Sequence, residues 1–503
     1  MKRILYIIIS MLPLGMAAQS MYDIVPLFDR GTTGTARFVA MGGSMGALGA
    51  DVSLMGINPA GIALYRKNDM NLTGSFNIAT NKSRYNSMLT KNDLVSVDLD
   101  NVGFVLTNKL EDDFSLNVGV NYKGYKDAKR NFGMGGHEDF FSQQYVMRDL
   151  YDNCPFDLNN MSYTMYEGLT YNWLSLIAAD AWLGDDQGNF LTDKDGWVVW
   201  QPTSLEYYSE ERGGVDAVDV NVAANIDDVF YFGLTLGFEN VDYDRYSCYT
   251  ESDDYGYIYY LENGYRLQAT GFNLKFGAIW RPFRYSPFRV GLALHTPTWY
   301  EFTEHRWAAI DAFDDCHYDT RDEELFYDEL CVTYKARSPW RLVASAAYTF
   351  GSTLALNAEY ELVDYSFAEY SSNYGTEKTQ NYELDMNVQA QHIFRVGAEL
   401  SLDDITLRAG YNYATAPFKK GAYKDMMNAS VADTSTEYMN TLESQTATLG
   451  LGFKYKDIYF DIAYALRAQK ADFYPFYDTD YVNPPAKVDF LNHSVMATVG
   501  IRL

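Results

Sequence analysis

The last nine residues, Val495-Met496-Ala497-Thr498-Val499-Gly500-Ile501-Arg502-Leu503, decide the fold. In an extended chain successive side chains point to opposite faces. Val495, Ala497, Val499, Ile501 and Leu503 therefore share one face, with Met496, Thr498, Gly500 and Arg502 on the other. Ile458, Phe460, Ile462, Tyr464 and Leu466 repeat the pattern just upstream, as do Phe230, Phe232, Leu234, Leu236 and Phe238, and Phe272, Leu274, Phe276, Ala278 and Trp280. Each run reads as a strand with one apolar side.

Extended along the chain, this reading predicts fourteen strands near 69–79, 100–107, 113–122, 217–226, 229–240, 268–280, 288–296, 339–350, 353–363, 391–400, 404–413, 445–455, 458–468 and 493–503. Most are about ten residues, the length of a tilted strand crossing a bilayer. The connections sort by length. Glu111-Asp112, Asp227-Asp228, Arg281 to Pro287, Gly351-Ser352, Asp403 and Lys456-Asp457 are short, whereas 80–99, 123–216, 241–267, 297–338, 364–390, 414–444 and 469–492 are long. A soluble sandwich gives no reason for that sorting; a barrel with periplasmic turns and extracellular loops does. The expected fold is all-β, a transmembrane antiparallel β-barrel of about 14 strands spanning 69–503 with long extracellular loops. Its apolar faces meet lipid, since only side chains can do so once the backbone is paired.

Composition agrees. The chain has 503 residues with 43 Tyr and 29 Phe, and aromatics make up 16%. That load suits aromatic girdles at two membrane interfaces. A net charge of −27 repels a phosphate backbone and argues against a nucleic-acid partner. At the N-terminus, basic Lys2-Arg3, an apolar run Ile4 to Met16 and small Ala17-Ala18 read as a signal peptide over 1–18. The run is too short for a membrane anchor. Cys154, Cys248, Cys316 and Cys331 all fall outside the predicted strands. Cys316 with Cys331 is the most local pairing, and disulfide and free thiol are both open.

Residues 19–68 do not alternate and are rich in small residues, from Gly31-Thr32-Thr33-Gly34-Thr35-Ala36-Arg37 through Met41-Gly42-Gly43 to Ile57-Asn58-Pro59-Ala60-Gly61. A nucleotide loop is excluded, because GxGxxG and the Walker lysine are missing and no strand precedes them. A disordered tail fits poorly with so many Met, Leu, Ile and Ala residues. Here the chain resembles the FadL-type transporters of long-chain fatty acids and other hydrophobic compounds, most nearly their Bacteroidetes-like versions. Gly34-Thr35-Ala36-Arg37 to Met41-Gly42-Gly43 is similar to that family's mature N-terminus, and Asp51 to Asn58-Pro59-Ala60-Gly61 to its hatch. The resemblance implies an N-terminal plug over 19–68 inside the lumen, with Asn58, Pro59, Ala60 and Gly61 as the gate. It also implies uptake of a hydrophobic small molecule across the outer membrane. Leu503 at the end, where many barrels carry an aromatic residue, and the long 123–216 segment depart from the better-known members.

Such a plug accounts for glycines on the lumen faces: Gly103, Gly119, Gly233, Gly237, Gly277, Gly291, Gly397, Gly410, Gly450, Gly452 and Gly500. Local bending of strands is the other reading. In the longest loop, Trp173, Leu176, Ile177 and Ala181 recur at helical spacing. They either pack on neighbouring loops or form a groove that captures a hydrophobic ligand. No cofactor, metal or catalytic residue is expected. The acidic run Asp314 to Glu324 lacks EF-hand spacing, although it could bridge cations to lipopolysaccharide. His392 and His493 carry lipid-facing parity, and His295 points to the lumen near the outer rim. The chain reads as a monomer in contact with outer-membrane lipid and lipopolysaccharide. A barrel subunit or scaffold of a secretion or surface-assembly complex is the alternative, and an outer-membrane lipid-modifying enzyme a weaker one.

Overall fold

The computed structural model describes residues 20–111, 113–137, 142–153, 172–178, 202–256, 258–312, 316–321, 330–372, 375–376, 378–429, 432–477 and 484–503. The expected signal peptide, 1–18, lies outside them.

Fourteen antiparallel strands close on themselves. They are β1 (Asp69–Tyr85), β2 (Met88–Glu111), β3 (Phe114–Asp127), β4 (Ser204–Ile226), β5 (Phe230–Ser252), β6 (Ile258–Trp280), β7 (Arg289–His295, resumed as Trp299–Ala312), β8 (Leu330–Arg337, resumed as Arg341–Phe350), β9 (Leu354–Asp364), β10 (Ala390–Leu402), β11 (Ile405–Ala414), β12 (Tyr438–Tyr455), β13 (Ile458–Tyr474) and β14 (Ala486–Arg502). Each pairs with its sequence neighbour, and β14 pairs with β1 from Asp69↔Arg502 to Arg84↔Lys487. Closure pairs the first strand with the last, so the sheet has no open edge strand.

The predicted parity holds. Phe230, Phe232, Leu234, Leu236 and Phe238 lie exposed on the outer wall, and Val495 and Val499 do so on β14, where Met496 and Thr498 are buried in the lumen. Rings mark the rims of this belt: Tyr360 with His392 and Tyr464 with His493 are hydrogen-bonded pairs on the outer surface. Several turns on the opposite rim bend through positive φ at Asp227, Asp228, Asp403 and Lys456, the geometry that suits two-residue hairpins.

The extracellular side corrects the sequence reading. Segments 80–99 and 241–267 are mostly strand, not loop: β1 and β2 run on to a turn at Asn86-Ser87, and β5 and β6 extend past the membrane zone as one ladder. In the outer β5–β6 ladder the large apolar residues, among them Val241, Tyr243, Tyr249, Leu261 and Leu267, sit on the buried face, so the ladder persists where the outward-facing apolar alternation that reveals it has gone. Cys248 accordingly lies within β5, and Cys331 within β8 opposite His305. Both are free thiols, so the Cys316–Cys331 pairing is not formed.

Candidate functional site

The lumen is filled from below by residues 20–68. Helix α1 (Met21–Phe28) is capped by Ser20, and helix α2 (Ala36–Ala40) by Thr35, whose Oγ1 accepts from Phe38 N and donates to Asp51 Oδ2 at 2.7 Å. Asp51 in turn caps a 3-10 turn, Val52–Gly56, through Ser53 N at 3.0 Å. Burial pushes the Asp51 carboxyl upward, against the pull of Arg37. Small capped turns of this kind satisfy backbone donors locally, which lets an irregular segment sit in a lumen.

The Asn58-Pro59-Ala60-Gly61 segment forms the next turn, Pro59–Leu64. Asn58 is its cap, accepting from Ala60 N at 3.3 Å, and Pro59 takes the first position, where a missing N–H does no harm. The Asn58 amide also donates to Gly46 O at 2.7 Å. Asn58, Ala60 and Ile62 are fully buried. The wall opposite is glycine. A Cβ on Gly277 would strike Asn58 and Ala60, one on Gly233 would strike Pro59, and one on Gly291 would lie 2.9 Å from Asn58 Nδ2. Two further seats hold the plug elsewhere: Gly397, Gly410 and Gly450 against Ala40 to Gly42, and Gly103 with Gly119 against Val52 and Met55. Gly237, Gly452 and Gly500 face wall side chains instead.

Ion pairs lock these seats. Arg37 forks onto Glu399 at 2.8 and 3.1 Å and donates to Ala50 O at 2.7 Å. Arg395 reaches Glu359 at 2.9 Å and Glu361 at 2.6 Å, and Glu359 accepts from Gly46 N at 2.9 Å. His295 lies beside the Asn58 turn and not near the rim, with Nε2 2.7 Å from Ile57 O. Sequence reading missed these residues as plug partners. Their lumen parity was visible, but their partners depend on how distant strands and plug turns come together.

Above the plug, α1 and the wall enclose a cavity of about 230 Å³. Its apolar lining comes from Val25 and Leu27 on α1 and from Phe132, Tyr207, Phe473 and Phe490. Charged groups at its border are mostly paired: Arg467 with Asp29 at 3.0 Å, and Arg130 with Glu211. Arg467 holds the Asp29 carboxyl below its ordinary value despite burial. Lys126 instead donates to the Pro26 carbonyl. Beside this cavity the wall ladder is incomplete. Pairing of β2 with β3 stops at Asn101↔Lys123, although both strands continue outward, and β3 bulges between Gly124 and Lys126. Side chains close the gap, with Lys129 on Asp98 and Ser96 Oγ 3.3 Å from Asp127.

No protein-family model matches the chain, and no curated protein does. Among solved structures, a Pseudomonas aeruginosa FadL homologue aligns over 94% of this chain and 99% of its own, with TM-score 0.53 and 12% identity. The toluene transporters TodX of P. putida and TbuX of Ralstonia pickettii each align over 94% and 99%, with TM-score 0.50 and 11% and 13% identity. The fold is that of the FadL-type barrels. At such identities the likeness is one of fold.

Within the FadL-type barrel the two groups of predicted site residues lie apart. Asn58 to Gly61 belong to the plug. Trp173, Leu176 and Ile177 lie on a short helix, α4 (Trp173–Ala178), preceded in the chain by α3 (Gln144–Asn153). They are 2%, 4% and 0% exposed, in a cluster with Phe132, Met134, Met147 and Phe473. Their side chains are buried in that cluster, against Phe132 and Phe473 of the cavity lining. Ala181, and residues 314–315 and 322–324 of the acidic run, lie outside the described residues. Among the described residues no three His, Cys, Asp or Glu side chains are grouped to hold a metal ion.

Proposed function

We propose that this barrel sits in a bacterial outer membrane as a monomer and takes up hydrophobic small molecules such as long-chain fatty acids. The observation that carries the reading is the aromatic cavity between α1 and the wall, directly above a plug seated on glycine. An apolar ligand gains about 25 cal/mol for each Å² it removes from water, so a cavity of this lining can hold an acyl chain or a ring without charges. Lys126 would favour an acidic end. The solved relatives of the same fold include toluene transporters, which supports hydrophobic cargo. Movement of Asn58 to Gly61 off the Gly233–Gly277–Gly291 seat opens the way down. The unladdered stretch of β2 and β3 offers a second way, sideways into the bilayer.

The test is accumulation of labelled long-chain fatty acid in cells lacking their own transporter. They would express the wild type or a variant with residues 58–61 rebuilt as a rigid linker. Uptake by the wild type alone supports transport through a working hatch. No uptake by either, with both barrels inserted, rejects this cargo.

A further inference from the structure

Outside the plug seats and the cavity, one group of charges stands out because four separate parts of the chain build it. Arg306, on the outer half of β7, extends its guanidinium to three carboxylates. Nη2 reaches Asp23 of α1 at 2.8 Å, Nη1 reaches Asp433 of the 415–437 segment at 2.8 Å, and Nε contacts Glu304 on its own strand. Lys424 meets Asp433 at 2.8 Å, and Arg245 of β5 lies 3.6 Å from Asp23. Three cations thus balance three carboxylates, and Arg306, Asp23, Glu304, Asp433 and Lys424 are each 5% exposed or less at the side chain. The Tyr265 ring lies 4.5 Å beneath the guanidinium. A second link runs parallel to the first: Tyr22 of α1 stacks on Phe418 of the same segment at 5.1 Å and donates to Asn440 at 3.0 Å.

The segment 415–437 joins β11 to β12 on the extracellular side, and α1 is the top of the plug. We infer that Arg306 makes the seating of the extracellular 415–437 segment and the seating of the N-terminal helix a single event. Taking either carboxylate away leaves the guanidinium and its remaining partners unbalanced in a buried site, which weakens the other carboxylate's seat. An opening at the outer mouth is thereby transmitted to the plug. Coupling of this kind is reciprocal: whatever Asp433 contributes to holding α1, Asp23 contributes to holding 415–437. The inference concerns the barrel whatever it carries, so it stands or falls apart from the cargo assigned above.

The experiment measures protection of buried thiols in the full-length barrel purified in detergent, with Cys154, Cys248, Cys316 and Cys331 replaced by serine. Val25→Cys reports on α1 and Ala432→Cys on the loop, both 1% exposed in the native fold, and Ala463→Cys, 0% exposed, reports on the lower plug seat. The rate of reaction with a maleimide is read for each. Asp433→Asn is expected to speed labelling at Val25→Cys about tenfold, and Asp23→Asn to speed labelling at Ala432→Cys by a similar factor, with Ala463→Cys unchanged. Arg306→Lys, which keeps the charge but loses the fork, is expected to speed both. If each neutralised carboxylate loosens only its own segment, the inference fails. It also fails if Ala463→Cys speeds up alongside the others, since the whole barrel is then softening.

Discussion

The lower and upper halves of the lumen are lined by the same fourteen strands, yet they hold their contents by opposite means. Below, the wall withdraws its side chains. Gly233, Gly277, Gly291, Gly397 and Gly410 let plug backbone approach wall backbone, and Arg37, Arg395 and their carboxylates pin it there. Above, the wall supplies large rings, and Phe132, Tyr207 and Phe473 meet at centroid distances of 4.7 to 6.0 Å around space that α1 does not fill. Alternation on a closed sheet thus makes a stopper where lumen positions are glycine and a pocket where they are aromatic. The choice is made residue by residue, with no change of fold.

The heaviest blow to that contrast is Arg395→Met. It strands Glu359 in the lower lumen and leaves Glu361 with Arg341 alone, and loss of one partner of a buried pair costs about 3–5 kcal/mol. Proteolysis within residues 20–68 should accelerate while the barrel keeps its heat-modifiable gel mobility. Equal protection of the plug in mutant and wild type would show that the glycine seats suffice alone.

The upper half should respond to pH instead. Burial pushes the Glu383 carboxyl, on the extracellular helix α5 (Lys378–Asn387), up to about 7. A raised carboxyl favours the folded seat while it is protonated. The stabilisation is complete below the unfolded value near 4.5 and is lost as pH climbs through 7, on the order of 3 kcal/mol in all. Hydrogen exchange at α1, corrected for its intrinsic pH dependence, should quicken between pH 5 and 8, and Glu383→Gln should flatten the response. An unchanged slope in that variant would assign the effect to another group.

Gly277→Ala sharpens the comparison at a single methyl group. Overpacking against Asn58 should cost about 1–3 kcal/mol and lift the hatch, readable as a rise in small-solute conductance. If conductance and plug protection both stay at wild-type values, the seat is looser than the wall contacts imply. Lys67→Ala sets the floor: its pair with Asp457 is 3.3 Å long and more than half exposed on both sides, so a thermal melt should move by less than about 1 kcal/mol equivalent.

The barrel was legible in the sequence because lipid enforces an apolar face on every spanning strand, and all fourteen strands fall where alternation put them. Asn58-Pro59 was legible for a different reason, since cap and turn chemistry is local. What escaped notice depends on partners distant in sequence. An arginine at position 395 shows its lumen parity, but its carboxylates follow from the β9–β10 register. Trp173, Leu176 and Ile177 showed a helical face but not what would cover it. The outer ladders of β1–β2 and β5–β6 escaped because above the bilayer nothing obliges either face to be apolar.

The seam between first and last strands has a consequence for biogenesis. Asn68 and Leu503 exchange backbone hydrogen bonds at 3.1 and 3.0 Å, and the ladder above them uses the chain as far back as Lys487. The cylinder therefore cannot shut until β14 has been delivered. A chain that stops one strand short presents two open edges, each a template for another copy. Closure thus makes arrival of the last strand the condition for hiding both edges.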